Sequence, residues 1–147
     1  MENLPIEIDE FLSAQNVATL CFVEESSMVP YCFSCFYAFD KKNRLLMFKS
    51  SKETKHAGYL DSGKPIAGSI LPDKLDVLRI QGIQLAGHVL LGDDTLHKHA
   101  VSVYYKRFPF ARVMSGEIWA VQLHTIKMTD NKKGFGRKIK WELNKVI

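Results

Sequence analysis

Short apolar runs punctuated by turn residues constrain this chain more than any other feature. They are rich in strand formers, and none has the length of a membrane span. Residues 17–23, Val-Ala-Thr-Leu-Cys-Phe-Val, are apolar on both alternating faces, which predicts a strand covered on both sides in a closed or dimer-covered sheet. After the polar turn at 24–27 come residues 29–39. The turn Asp40-Lys41-Lys42-Asn43 then leads to residues 45–48, so three consecutive antiparallel strands are expected. Residues 65–71 read as a fourth strand and 118–128 as a sixth. Between them, 78–91 reads as a fifth, with Gly82 and Gly87 marking bulges that curl a sheet. Regular spacing of short strands favours a barrel, and the fold class is mainly β with a few helices (α+β): a six-stranded antiparallel barrel.

Helices are few. Asn3 is placed to cap a first one, with Pro5 in its first turn and Ile8, Phe11 and Leu12 on one face. A short helix follows His56, with Ser50 or Ser51 as its cap. The clearest helix covers 95–106, capped by Asp93 or Asp94 and stopped by Phe108-Pro109. With 147 residues, no repeat and no low-complexity linker, one domain over 1–147 is expected. The +4 net charge is uneven: residues 127–147 hold seven Lys and Arg against two acidic residues. The basic arm at 129–147 is therefore an edge strand or an extended segment on a near-neutral body, and a basic tail alone is poor support for nucleic-acid binding. Three cysteines and no secretory leader favour reduced thiols and a cytoplasmic protein, and no membrane association is expected.

The segment Lys49-Ser-Ser-Lys-Glu-Thr-Lys-His56 holds the most chemistry, because it sets hydroxyls and cations between a strand end and a helix start. Short donors and positive charge at that junction suit a phosphate; a solvated polar loop is the competing reading. Cys32 and Cys35 spell C-x-x-C, yet three positions apart on a strand they face opposite ways. None of His88, His97, His99 and His124 has metal-ligand spacing. No nucleophile-elbow or dinucleotide-binding glycine pattern is present.

The order of these features resembles the pyridoxamine-phosphate-oxidase-like, FMN-binding split-barrel superfamily, and most closely a small family of short chains within it. Asn16-Val-Ala-Thr-Leu, VPYCFSCFYAFD, LLMFKSSKETKHAGYL, IQGIQLAGHVLL and the tail KMTDNKKGFGRKIKW carry the likeness over nearly the whole chain. The resemblance implies that the barrel is a split one. It implies that the strand Ser34, Cys35, Phe36, Tyr37 runs along the isoalloxazine edge, where main-chain groups bond the ring. It places Lys49, Ser50 and Ser51 at the ribityl chain and phosphate, and Thr54, Lys55 and His56 at the phosphate clamp. Gln84 takes the position of a glutamine that reaches the flavin from a partner subunit; a slip of one or two residues would move that role to Gln81 or Gly82.

A homodimer with two FMN sites across its interface is implied as well, with Lys138 and Trp141 either covering the neighbour's flavin or belonging to the arm and core. The clamp has Lys55 where the oxidases have arginine, and their C-terminal Arg-x-His is absent, so pyridoxamine phosphate is not the expected substrate. The resemblance thus implies an FMN-dependent oxidoreductase with an unassigned substrate or electron donor. A non-catalytic flavin- or haem-binding sensor or carrier on the same fold is the alternative.

Overall fold

The structure, a computed structural model, describes residues 3–143. Seven strands form in chain order: β1 Val17–Val23, β2 Pro30–Asp40, β3 Leu45–Ser50, β4 Pro65–Ile70, β5 Gln81–Val89, β6 Glu117–Asp130 and β7 Lys138–Glu142. All pairings are antiparallel, in the spatial order β3-β2-β1-β4-β5-β6-β7, and β3 also pairs with β6. The first six strands thereby close into the expected barrel. The basic arm supplies β7, an added strand on β6.

Strand lengths decide where the barrel stays open. β3 has six residues, whereas its neighbours β2 and β6 have eleven and fourteen. It pairs with β2 only over Tyr37–Asp40 and with β6 over Glu117–Gln122. The rest of that β6 edge is taken by β7, from Thr125 to Thr129. On β2, no strand among the described residues lies beside residues 30–36 on the edge turned away from β1.

Three helices complete the chain: α1 Ile6–Ala14, α2 Ala57–Leu60 and α3 Thr95–Arg107. The barrel interior is the main core, and α1 contributes Ile8, Phe11 and Leu12 to it. Outside the barrel, α3 covers Ala38, Leu45, Met47, Ile118 and Ala120 with Ala100 and Tyr104. Leu45 to Phe48 of β3 are therefore buried on both faces. β1 is not: Val17, Thr19 and Val23 are exposed, so its second apolar face is uncovered in the single chain.

Local chemistry differs from expectation at several ends. Asp94 caps α3 by accepting from Leu96 N–H at 2.8 Å, as expected. At α1 the N-cap is Pro5, with no side-chain cap, so Asn3 does not serve. Neither Ser50 nor Ser51 caps α2; His56 stands at its N-cap, and the two hydroxyls bond elsewhere. β5 starts at Gln81, since Asp76 accepts from Leu78 N–H and bends the preceding segment into a loop. A register shift occurs at Ala86/Gly87, where a Cβ on Gly87 would lie 2.0 Å from the Gln122 carbonyl oxygen. Gly82 sits in regular pairing.

Trp141 of β7 is 4% exposed and packs in the main core, with the Arg44 guanidinium 5.7 Å from its ring centre. The arm is thus part of the barrel's packing. Trp141→Ala is expected to cost about 3–5 kcal/mol of unfolding free energy. Urea titration of both proteins measures it.

Candidate functional site

Backbone polarity makes the open stretch of β2 chemically distinct. Tyr37 N–H donates to the Asn16 carbonyl, so Tyr37 and every second residue before it turn their amides toward β1. Ser34 and Phe36 therefore turn theirs the other way, toward the edge beyond the last β2–β3 pair, Tyr37–Phe48. An unpaired amide run that is not covered by a strand is a ready partner for a ligand with in-plane donors and acceptors.

Side chains alternate along the same stretch. Ser34 and Phe36 face out, and Phe36 is 61% exposed. Cys35 faces in, its Sγ 3.8 Å from the Ala18 carbonyl, and burial pushes its thiol up to about 12. Tyr37 is fully buried, donates its hydroxyl to the Leu12 carbonyl at 2.6 Å, and is held well above the ordinary tyrosine range by burial.

Beside the open edge lies a cavity of about 430 Å³, within the size range of small-molecule sites. Phe36, Lys49, Ser50 and Ser51 form one side of it, and Tyr104, Phe108, Phe110 and Met114 are among the residues forming the other. The second wall comes from the end of α3 and the single-turn segment Pro109–Val113. Lys49 ties the two walls together: its ammonium donates to the Tyr105 hydroxyl at 2.8 Å and to the carbonyls of Ala111 and Met114 at 2.6 Å each. All three of its donor positions are occupied.

The 49–56 loop is folded largely on itself. Ser51 accepts from Glu53 N–H with its hydroxyl, and its carbonyl accepts from the Thr54 hydroxyl at 2.8 Å. Ser50 Oγ lies 2.7 Å from His56 Nε2. His56 is only 6% exposed and stacks on Phe33 at 3.9 Å between ring centres, with 9° between planes. Its Nδ1 is buried without a hydrogen-bond partner among the described residues. Desolvation holds the imidazole below its ordinary value of 6.5, so it is neutral at neutral pH. Lys55 is exposed, pairs with Glu24 at 2.8 Å, and lies 5.1 Å from the Tyr31 ring centre. The bond to Lys55 holds Glu24 below the usual carboxylate range.

The structure brings Phe36, Lys49, Ser50 and Ser51 to one cavity and sets Ser34 on the adjoining open edge. Thr54, Lys55 and His56 follow in the neighbouring loop, Lys55 pointing to the solvent side and His56 inward. Gln84 is apart from them in this chain, exposed on β5 opposite Ser69 and Lys127. Sequence reasoning missed the aromatic wall of Tyr104, Phe108 and Phe110. Its signal is the surplus of rings after the apolar face of α3 is filled. It also missed Glu24, whose pairing with Lys55 depends on a contact 31 positions apart in sequence.

A six-stranded antiparallel barrel with one strand edge left open is a split barrel, and solved structures share it. The chain is similar to a haem-binding protein from Mycobacterium smegmatis, at 15% identity and a TM-score of 0.71 over 90% of this chain and 55% of that one. It is also similar to a FAD-binding protein from Mesorhizobium loti, at 13% identity and a TM-score of 0.65 over 85% of this chain and 93% of that one. Likeness at such identities shows the fold.

No family model matches the sequence. A UPF0306 protein of Yersinia pseudotuberculosis is 37% identical over 134 residues, which is 91% of this chain and 90% of that protein. The chain belongs to the UPF0306 family. Among the described residues no helix is long and apolar enough to cross a membrane.

The buried neutral imidazole has a consequence for acid stability. A folded-state pKa below that of the unfolded chain means that the unfolded chain binds more protons in acid. His56 therefore contributes stability that is present above about pH 6.5 and is lost as pH falls through its folded value. Urea midpoints between about pH 7.5 and 5 are expected to fall less steeply for His56→Gln than for the parent, whatever the variant's absolute stability.

Proposed function

We propose that the chain is a flavin-binding split-barrel protein and, working as a homodimer, an FMN-dependent oxidoreductase. The open edge of β2 carries this reading. The outward amides of Ser34 and Phe36 offer hydrogen bonds to the polar side of a planar ring, and the Phe36 side chain offers an apolar surface beside it. Tyr37 and Cys35 support that strand from the interior without reaching a ligand. When bound, the flavin supplies hydride or electron transfer, and the chain's residues bind it, orient it and exclude water. The neighbour named for FAD binding adds support for the ligand class.

Phosphate contacts fall to Ser51 and Lys55. The Ser51 hydroxyl accepts from Glu53 and keeps its own proton to donate. Lys55 is an exposed cation of the loop, and Glu24 competes with the phosphate for it; Lys52, also exposed, is paired with Glu117. Ser50, Thr54 and His56 hold the loop in shape, and Lys49 fixes the aromatic wall.

A second copy would rest on the outer face of β1, β2 and β4. Val17, Thr19, Phe36, Ser69 and Leu71 form an uncharged patch on the outer face, bordered by Asp73, which is already tied to Asn16 at 2.6 Å. The patch adjoins the loop that exposes Leu75, Val77 and Leu78. Exposed apolar area of this kind, adjoining the flavin edge at Phe36, fits an isologous contact, and Gln84 lies on the same outer face. A non-catalytic carrier of flavin or haem is the second reading, favoured by the neighbour named for haem binding.

An oxidised-flavin spectrum is expected from the purified protein after addition of FMN, with elution as a dimer; a Soret band after haem addition, without FMN binding, would support the second reading. Reduction of the bound flavin by a nicotinamide donor then separates enzyme from carrier. Lys55→Ala should weaken FMN binding about tenfold or more, as expected for loss of one charge-assisted phosphate contact. Glu24→Gln should strengthen it by freeing Lys55, and an unchanged affinity in both variants rejects the phosphate assignment.

A further inference from the structure

Strand register joins two of the three cysteines that the sequence keeps apart. β1 and β2 pair so that Cys21 stands opposite Cys32. Tyr37 N–H donates to Asn16 and Glu24 N–H to Val29, so pairs 16–37 and 24–29, with every second pair between them, are the hydrogen-bonded ones. Cys21–Cys32 is a non-hydrogen-bonded pair. In that position the Cα atoms lie about 4.5 Å apart and the side chains approach closely.

The neighbouring pair of the same kind, Thr19–Ser34, has its hydroxyl oxygens 3.1 Å apart. A separation of about 4.5 Å falls at the short end of the Cα range that disulfides span. Burial pushes the Cys21 thiol up, and charge repulsion from Cys32 and a hydrogen bond that Cys21 donates to it push it further, so Cys21 is the thiol that keeps its proton.

Reach differs among the three thiols. Cys32 is exposed and Cys21 half-buried, both on the outer face. Cys35 points inward, and burial pushes it up to about 12, which keeps it protonated and poorly nucleophilic. The C-x-x-C spelling thus pairs no thiols in the fold, and the cross-strand register does.

We propose that Cys21 and Cys32 are a reversible oxidation site, a cross-strand dithiol that a hydroperoxide converts into an intramolecular disulfide. The Cys32 thiolate attacks the peroxide, the O–O bond breaks, and Cys32 becomes a sulfenic acid as water or an alcohol leaves. The Cys21 sulfur then attacks Cys32, the S–S bond forms, and the sulfenic oxygen leaves as water with the Cys21 proton. Two thiols lose two electrons and two protons, and the peroxide takes them up. The pair lies two residues along β1 from Thr19, about 7 Å away toward the 24–29 turn, and so borders the patch assigned to a second copy. The oxidation does not depend on the flavin reading.

The test treats the fully reduced chain with hydrogen peroxide, alkylates the remaining thiols, and maps the peptides by mass. Loss of two hydrogens, a Cys21–Cys32 linked peptide, recovery with dithiothreitol, and Cys35 alkylated only after unfolding are expected. Oxidation in denaturing urea should shift the product to Cys32–Cys35, the shortest loop an unfolded chain can close. Cys21→Ser should leave Cys32 as a sulfenic or sulfinic acid with no internal link. A Cys32–Cys35 link from the folded chain, a disulfide between chains, or over-oxidised Cys32 beside a Cys21 that still alkylates would each overturn the proposal.

Discussion

The shortness of β3 is the constraint on which the rest of the structure depends. Six residues must close a barrel between two much longer strands, and backbone polar groups left over on those strands need partners. On β6 the chain meets that need itself, since the basic arm returns as β7 and places Trp141 in the core. On β2 no strand among the described residues does so, and the outward-turned amides of Ser34 and Phe36 lie on that edge, with Phe36 beside an aromatic cavity. The uncovered stretch of β2 is both the split in the barrel and the candidate site.

Charge around that edge is arranged by neutralisation at short range. Lys49 looks like a phosphate ligand in the sequence, yet three acceptors at 2.6–2.8 Å take its donors and make it a brace for the cavity wall. His56 is desolvated against Phe33 and so stays neutral, serving the loop through Ser50. Lys55 alone of these three remains at the surface, with Glu24 as its present counter-ion. The positive character suggested by the run of cations is thus reduced to two surface ammonium groups, Lys55 and Lys52, each paired with a glutamate.

Much of the fold was legible because it rests on local rules. The strands at 17–23 and 45–48, the Asp94 cap and the bulge at Gly87 follow from strand propensity, side-chain capping and the lack of a Cβ. Boundaries were less legible where a loop competes with a strand: Leu78 is apolar and strand-like, but Asp76 turns the backbone there and β5 begins at Gln81. Residues of the candidate site on β2 and at 49–51 were legible only as positions near the open edge and its cavity. Their roles depend on partners such as Glu24, Tyr105 and Phe33, which become neighbours only after the barrel closes.

The sequence by itself determined a single antiparallel barrel with a few helices, a hydroxyl- and cation-rich loop after the third strand, and a basic tail, since each depends on residue chemistry within a short window. Only the tertiary structure decided that the tail completes a strand edge, that β2 keeps one open, and that Cys32 faces Cys21 rather than Cys35. Register and closure are set by how inner faces bury together, and a shift of one residue would turn every side chain to the other face.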